Sequence, residues 1–474
     1  MAHLSPYCGS WYPDDPAELS DLLARLFSQS EQRTGSFVLP GALAFVVPHA
    51  GLAYSGTVAA SAYRCARAQK VTRAVILGFS HRRDFPGIWI PDVDAYATAR
   101  GETAVDREAL SALKASPPFQ AMPEAPACDH SLEIQLPLLQ EALPEARIVP
   151  LYVGRLNGSQ RALAAGALAA LAGPGAVFFA SSDLTHYGRD FGYLPFPTDR
   201  RAAARLGETD QDVIDAAGSL DPELFSRHLR EIGSTACGVA PISLLLEILR
   251  LLQQPEEIFQ ATLDYQTSGE ITGDYSHCVS YGALAYFPAR AFALDAGEQA
   301  VLLDSAQRTL KHLRLEPCVE SPSLARRSGV FVTLRQRGEL RGCVGYPFAS
   351  HTLNGAVPEL TLKAALEDPR FPALAPGETD VRIEISILSP MKRIADPAAL
   401  RVNEHGAYLE AGRRRGLLLP HVAEEMRWTG PRFLEGLALK AGVDQRVYDK
   451  PATRLSVFRA QVFGARCGNI VQAA

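Results

Sequence analysis

At 474 residues the chain exceeds what one hydrophobic core usually serves, so two domains are expected. With 47% hydrophobic and 21% charged residues it has the composition of an ordinary globular protein, and a formal net charge of -5 gives no basic excess to hold DNA or RNA. No charged N-terminal segment precedes an apolar run, and no window is apolar for the length of a membrane span, so a soluble, cytoplasmic chain without a membrane partner is expected.

In chain order, β-type runs at 44–47, 74–77, 148–153, 177–180, 260–265 and 280–287 alternate with helical stretches near 57–69, 131–142, 160–172 and 241–252. Such alternation predicts a three-layer α/β sandwich with a mixed sheet covered on both faces. The Pro- and Ala-rich piece 115–127 reads as a loop. A boundary falls at Phe287-Pro288-Ala289-Arg290, giving a domain over 1–288, a linker over 289–295 and a second domain over 296–474. There a helix over 298–313 is followed by antiparallel-type runs at 329–335, 340–346, 381–388 and 456–463, with helices near 353–367 and 420–441. That pattern predicts an α+β domain with an antiparallel sheet. The eight cysteines are scattered without a C-x-x-C pair, which argues for reduced thiols.

Polar residues stand where these runs end. His49 follows the first run, His81 closes Leu77-Gly78-Phe79-Ser80-His81, Asp183 and His186 follow the fourth run, and Cys237 precedes the helix near 241–252. In open α/β sheets ligands collect beyond the carboxyl ends of the strands. Two imidazoles and a thiolate, His49, His81 and Cys237, make a three-ligand metal site that leaves positions open for substrate or water, and the set suits iron, copper or zinc. Taken singly, each also fits a packed scaffold residue; the repeated strand-end context carries the argument. If the turn at 184–186 is helical, Asp183 and His186 face the same way and serve to orient ligands or to move protons. The alternative is that Asp183 caps a helix and His186 packs under Tyr187. His130 and Glu133 share that spacing behind a cap at Asp129 or Ser131, with Glu133 either a carboxylate ligand or base or part of the helix start. His277 is expected in an exposed loop. In the second domain Cys343 lies between two glycines beside Arg341, a fixed charge able to lower a thiol pKa and grip an anion, so Cys343 is a candidate nucleophile; a buried thiol in a tight strand-turn element is the alternative.

His49-Ala50-Gly51 with Tyr54-Ser55-Gly56, Ser80-His81, Asp129-His130-Ser131-Leu132-Glu133-Ile134-Gln135-Leu136-Pro137, Ser181-Ser182-Asp183-Leu184-Thr185-His186-Tyr187-Gly188 and Thr235-Ala236-Cys237-Gly238 together resemble the Memo family over about residues 3–288. That resemblance implies a LigB-like fold, related to the class III extradiol dioxygenases in which two histidines and a glutamate hold non-haem Fe(II). It implies iron (Fe2+) or copper, and less readily zinc, on His49, His81 and Cys237, with His130, Asp183 and His186 lining the pocket as catalytic residues. Cys237 stands where those dioxygenases carry glutamate, a departure from ordinary ring cleavage, and a thiolate beside a redox metal is itself oxidisable. Arg82 stands where many relatives have a second histidine, and Gln135 where some have histidine.

Residues 296–474 resemble the AMMECR family through Leu340-Arg341-Gly342-Cys343-Val344-Gly345, Glu367-Asp368-Pro369-Arg370-Phe371-Pro372, Glu384-Ile385-Ser386-Ile387-Leu388-Ser389-Pro390 and Gly416-Leu417-Leu418-Leu419-Pro420. The two families are components of the AmmeMemoRadiSam system, so the resemblance implies a radical SAM protein as partner. No cysteine cluster here has the spacing of its iron–sulfur site, so that partner is expected as a separate chain. The function implied is a metal-dependent, dioxygenase-like oxidoreductase acting on a small-molecule or peptide substrate. The competing readings are a zinc-dependent hydrolase and a non-catalytic peptide- or protein-binding module.

Overall fold

The computed structural model describes residues 2–122, 129–450, 453–467 and 470, in two compact units, 1–288 and 289–474. In the first unit the elements run β1 (Ala2–Leu4), α1 (Pro16–Thr34), β2 (Ala44–Val47), α2 (Leu52–Arg67), β3 (Arg73–Gly78), β4 (Ile88–Ile90), β5 (Ala95–Thr98), β6 (Gly101–Ala104), α3 (Arg107–Lys114), β7 (Phe119–Ala121), α4 (His130–Glu133) and α5 (Gln135–Ala142). They continue with β8 (Arg147–Val153), α6 (Gly158–Ala169), β9 (Ala176–Ser181), β10 (His186–Gly188), α7 (Ala202–Gly218), α8 (Pro222–Glu231), α9 (Val239–Leu252), β11 (Ile258–Thr267), α10 (Ser268–Thr272) and β12 (His277–Pro288).

Nine of these strands form one sheet in the order β10-β12-β2-β9-β3-β8-β4-β7, with β11 paired to β12 off that path. The sheet is mixed: β2, β9, β3 and β8 run parallel, while β12 is antiparallel to both β2 and β11. All four residues of β2, Ala-Phe-Val-Val, are fully buried, as a strand covered on both faces requires. Two separate helix groups supply the cover: α2 packs with α1 and α5 and against β2 and β12, and α9 packs with α6 and α8 and against β2, β3 and β9. Phe179 of β9 stacks between Phe45 of β2 (5.2 Å) and Tyr63 of α2 (5.1 Å), tying sheet to helix.

Several elements differ from the expectations. The helix α1 had no counterpart in them; Asp15 caps it by accepting the Ala17 and Glu18 N–H groups, with Pro16 at its first turn. Within the stretch expected as a loop, Phe119–Ala121 is a strand paired to β4, and residues 123–127 lie outside the described residues, as does Cys128. The segment 183–185 is not helical: its backbone bonds to Ser280, and His186 opens β10, paired to β12 with His186 opposite Val279. His277 is the first residue of β12; its ring is exposed, 3.3 Å from Asp190 and stacked on Phe191.

The second unit contains α11 (Ala296–His312), β13 (Gly329–Gln336), β14 (Glu339–Tyr346), α12 (Leu353–Leu366), β15 (Val381–Leu388), β16 (Lys392–Ile394), β17 (Gly406–Ala411), β18 (Arg414–Leu418), α13 (His421–Met426), α14 (Gly430–Ala441), β19 (Thr453–Phe458) and β20 (Ala460–Arg466). They build two antiparallel four-stranded sheets, β14-β13-β15-β20 and β16-β19-β17-β18. Arg337 and Gly338 both have positive φ, the two-residue turn that matches strand twist in the β13–β14 hairpin. The run expected as one strand over 456–463 is divided at Arg459 between the two sheets, because Arg459 exchanges backbone and side-chain bonds with Ser389. The helix expected over 420–441 is likewise two helices, ended by Arg427 at φ 52 and restarted after Thr429.

Candidate metal centre

Because β2, β9 and β3 are parallel neighbours, their carboxyl ends lie in a row, about 4.8 Å apart per strand. His49 leaves the end of β2 and is 1% exposed. Its backbone N–H donates to Asp183 Oδ1 (2.8 Å) and its Nδ1 lies 2.9 Å from Ser181 Oγ, the last residue of β9. That leaves Nε2 directed at Cys237 Sγ, 3.3 Å away. His81 leaves the end of β3. Both its backbone N–H and its Nδ1 are held by Asp129, at 2.9 Å each, which again leaves Nε2 for a ligand. Asp129 also caps α4 through the Ser131 N–H, so one carboxylate fixes helix and imidazole together.

Cys237 arrives from the turn before α9. Its neighbour Gly238 has to be glycine: a Cβ there would sit 2.4 Å from the Ser181 carbonyl oxygen. The Gly238 N–H donates to Ser182 Oγ (2.9 Å), and Cys237 Sγ accepts the Asp183 N–H (3.3 Å). One ligand atom from each of His49, His81 and Cys237 lies within 4.8 Å of the other two. The same holds for Asp183, His186 and Cys237, and for His81, Asp129 and His130.

Burial sets the protonation of this cluster. It drives the His49 imidazole well below its ordinary pKa, with His130 and His81 adding to the effect, and it pushes the Cys237 thiol well up, helped by Asp183. Burial also raises the Asp183 carboxyl to about 7, against the backbone N–H groups of His49 and Ala50 that favour the anion. Asp129 goes the other way: burial opposes ionisation, but the His81 hydrogen bond and the nearby His130 outweigh it and hold the group far below the carboxylate range. His130 is lowered to about 4, chiefly by burial, and burial lowers His186 too.

Around the triad, His130 stacks on His81 (4.2 Å between ring centres) and packs at a tilt against Trp11 (4.4 Å), and Phe79 packs against His81 (4.4 Å) and His49 (5.5 Å). His186 is clamped by Thr235, whose Oγ1 takes its N–H (2.8 Å) and donates to its carbonyl (2.9 Å), while its Nδ1 lies 3.1 Å from the Leu184 carbonyl. The structure thus gathers His49, His81, Cys237, His130, Asp183 and His186 in one place. Glu133 does not join them: it is fully buried with Oε1 3.2 Å from His3 Nε2. Sequence reasoning missed Trp11, Phe79, Ser181 and Thr235. Trp11, one of three tryptophans, carried a compositional signal, and Ser181 is a polar residue closing an apolar strand.

Cys343 belongs to the second unit, on the edge strand β14. Its thiol accepts from Thr333 Oγ1 (3.3 Å), its N–H donates to Asp368 Oδ2 (2.8 Å), and its carbonyl accepts from Arg370 Nη2 (2.9 Å). Asp368 and Arg370, paired at 2.6 Å, therefore stand in for a missing neighbour strand. The Arg341 charge expected beside the thiol is committed elsewhere, to the Pro372 and Ala373 carbonyls and to Glu378 (3.2 Å). Gly342 is explained by packing, since a Cβ there would lie 2.1 Å from the Ala364 carbonyl oxygen of α12.

Comparison with known proteins gives two matches along the chain: residues 5–285 match the Memo-like protein family and residues 301–463 match AMMECR1. The protein memo-1 homolog of Caenorhabditis elegans is 30% identical over 292 residues, covering 59% of this chain and 81% of that protein. MEMO1 family protein Ta0237 of Thermoplasma acidophilum is 32% identical over 278 residues, 58% of this chain and 95% of that one. A protein of Methanothermobacter thermautotrophicus is 42% identical over 164 residues, 33% of this chain and 84% of its own length.

Proposed function

Because this chain belongs to the Memo-like protein family and carries an AMMECR1 region behind it, we propose that residues 1–288 form a metal-dependent oxidoreductase with a LigB-like, dioxygenase-related site. His49, His81 and Cys237 would hold iron or copper. The observation that carries this reading is the set of three ligand atoms within 4.8 Å, with the Nδ1 of each imidazole already engaged by Ser181 or Asp129. A partner on the far nitrogen is the usual way a ligating imidazole is oriented, and a thiolate beside two imidazoles suits redox-active iron or copper. Three protein ligands leave room for a substrate oxygen atom.

A redox ion bound there supplies one-electron chemistry and polarisation of a bound oxygen. The remaining work falls to the chain. Asp129, which can only accept, holds the His81 ring with its proton on Nδ1, and Ser181 fixes the orientation of the His49 ring. His186, with Nδ1 against the Leu184 carbonyl, keeps Nε2 as its free nitrogen, and burial, by lowering its pKa, keeps that nitrogen unprotonated. Trp11 and Phe79 wall the site with rings on which a planar substrate can lie, and His81 marks its solvent-facing side.

Elemental analysis of protein purified without added metal tests the reading. Stoichiometric iron or copper, lost in both His49→Ala and Cys237→Ala, is the expected result. Zinc alone would favour hydrolysis by a metal-activated water. A wild-type protein that retains no metal and binds peptide equally well as Cys237→Ala would favour a recognition module. We further propose that both regions serve one pathway with a radical SAM protein on a separate chain; failure of such a protein to co-purify or to alter turnover would remove that partnership.

A further inference from the structure

We propose that Asp183, His186 and Cys237 hold a second metal ion, so that the Cys237 sulfur bridges a pair of ions, one on the His49/His81 side and one on the Asp183/His186 side. This rests on the reading of His49, His81 and Cys237 as a first site. One ligand atom from each of Asp183, His186 and Cys237 lies within 4.8 Å of the other two. An ion bound at about 2.0–2.3 Å to N, O and S needs its ligands only about an ångström closer than that limit.

His186 is built like the two imidazoles of the first site. Its Nδ1 meets the Leu184 carbonyl at 3.1 Å, as His49 meets Ser181 and His81 meets Asp129, and Thr235 fixes its backbone on both sides. Its Nε2 is thereby the nitrogen left for a ligand. Asp183 is 4% exposed; among the described residues its carboxylate meets only the backbone N–H groups of His49 and Ala50, and no cationic side chain pairs with it. A buried carboxylate of that kind is costly unless a cation joins it. The sulfur, between Nε2 of His49 and the backbone of Asp183, faces both groups at once.

The third cluster, His81, Asp129 and His130, does not qualify in the same way. Asp129 Oδ1 is taken by His81 Nδ1 and the Ser131 N–H, and Oδ2 by the His81 N–H, so that carboxylate orients a ligand rather than serving as one. A bridged pair about 3.5–4 Å apart would clamp two adjacent oxygen atoms of one substrate, or one oxygen between both ions.

Anaerobic titration of the metal-stripped full-length chain with Co(II), followed by absorption and EPR, tests the pair. Wild type should take up two equivalents, and the EPR signal of the first should fall as the second binds, because a shared thiolate couples the two spins. His186→Ala and Asp183→Asn should each take up one equivalent and keep the uncoupled signal; Asn keeps the oxygen that accepts the His49 N–H, so unchanged circular dichroism is expected. Saturation of wild type at one equivalent, or retention of two in both variants, overturns the second site and leaves the first untouched. Failure of the first-site reading looks different: His49→Ala would then bind Co(II) as wild type does.

Discussion

Ring orientation is the smallest feature on which the site depends. Asp129→Asn keeps a helix-capping side chain at α4 but replaces the anionic acceptor of the His81 Nδ1–H by a neutral one. We expect metal affinity to fall roughly 10- to 100-fold, checked by competition with a chromophoric chelator, and the melting temperature to fall as well, because the buried oxygen that accepts the His81 N–H becomes an amide donor. The thiol fixes the sign of the pH dependence. Burial and Asp183 keep Cys237 protonated at neutral pH, whereas His49 is already neutral, so metal binding must expel the thiol proton. Affinity should therefore rise with pH, with a proton released on binding in weakly buffered solution; release of the same size from Cys237→Ser would refute this. Gly238→Ala should abolish metal retention outright, since the added methyl carbon meets the Ser181 carbonyl at 2.4 Å and displaces the neighbouring sulfur.

At the level of elements, local pattern and tertiary demand agree in the buried parallel strands and part company elsewhere. Apolar runs such as Ala74–Leu77 were legible because a strand covered on both faces must be apolar throughout. The short elements β4, β7 and β10, at or next to the ends of the sheet, carry three residues each and too little pattern to be read locally. Asp183 and His186 do lie together, but through a non-helical segment held by Thr235 and by β12, where helical spacing was expected to align them. In the second unit, the Asp368–Arg370 clamp on β14 makes an acid-sensitive element. Arg370 holds the Asp368 carboxyl down to about 2, below its unfolded value of about 3.9, so its contribution is present above pH 4 and is lost as pH falls through 2. Protection of the Cys343 amide against hydrogen exchange, taken relative to its intrinsic rate at each pH, should fall across that window in wild type, and an Asp368→Asn variant should show no such step. Gly342→Ala should destabilise this unit by about 1–3 kcal/mol, because α12 must move off β14; an unchanged melting curve would contradict the packing argument.

Over the whole molecule, each unit has its own strands and its own buried apolar clusters, Leu302, Val332 and Ile385 in one core of the second and Leu409, Phe433 and Val457 in another. Residues 1–288 expressed alone should accordingly fold and bind metal with the affinity of the full chain; weaker binding would mean that the AMMECR1 region completes the site. The order of architectures, mixed α/β and then antiparallel, was legible in the sequence because it follows from the spacing of apolar runs. The amino-acid order also determined that His49, His81 and Asp183 stand past strand ends and that Cys237 stands just before a helix, since each borders a segment readable on its own. That these residues meet was decided only in three dimensions: strand order in a sheet depends on which long-range pairings bury the most apolar surface, and β9 enters between β2 and β3 from about a hundred residues away.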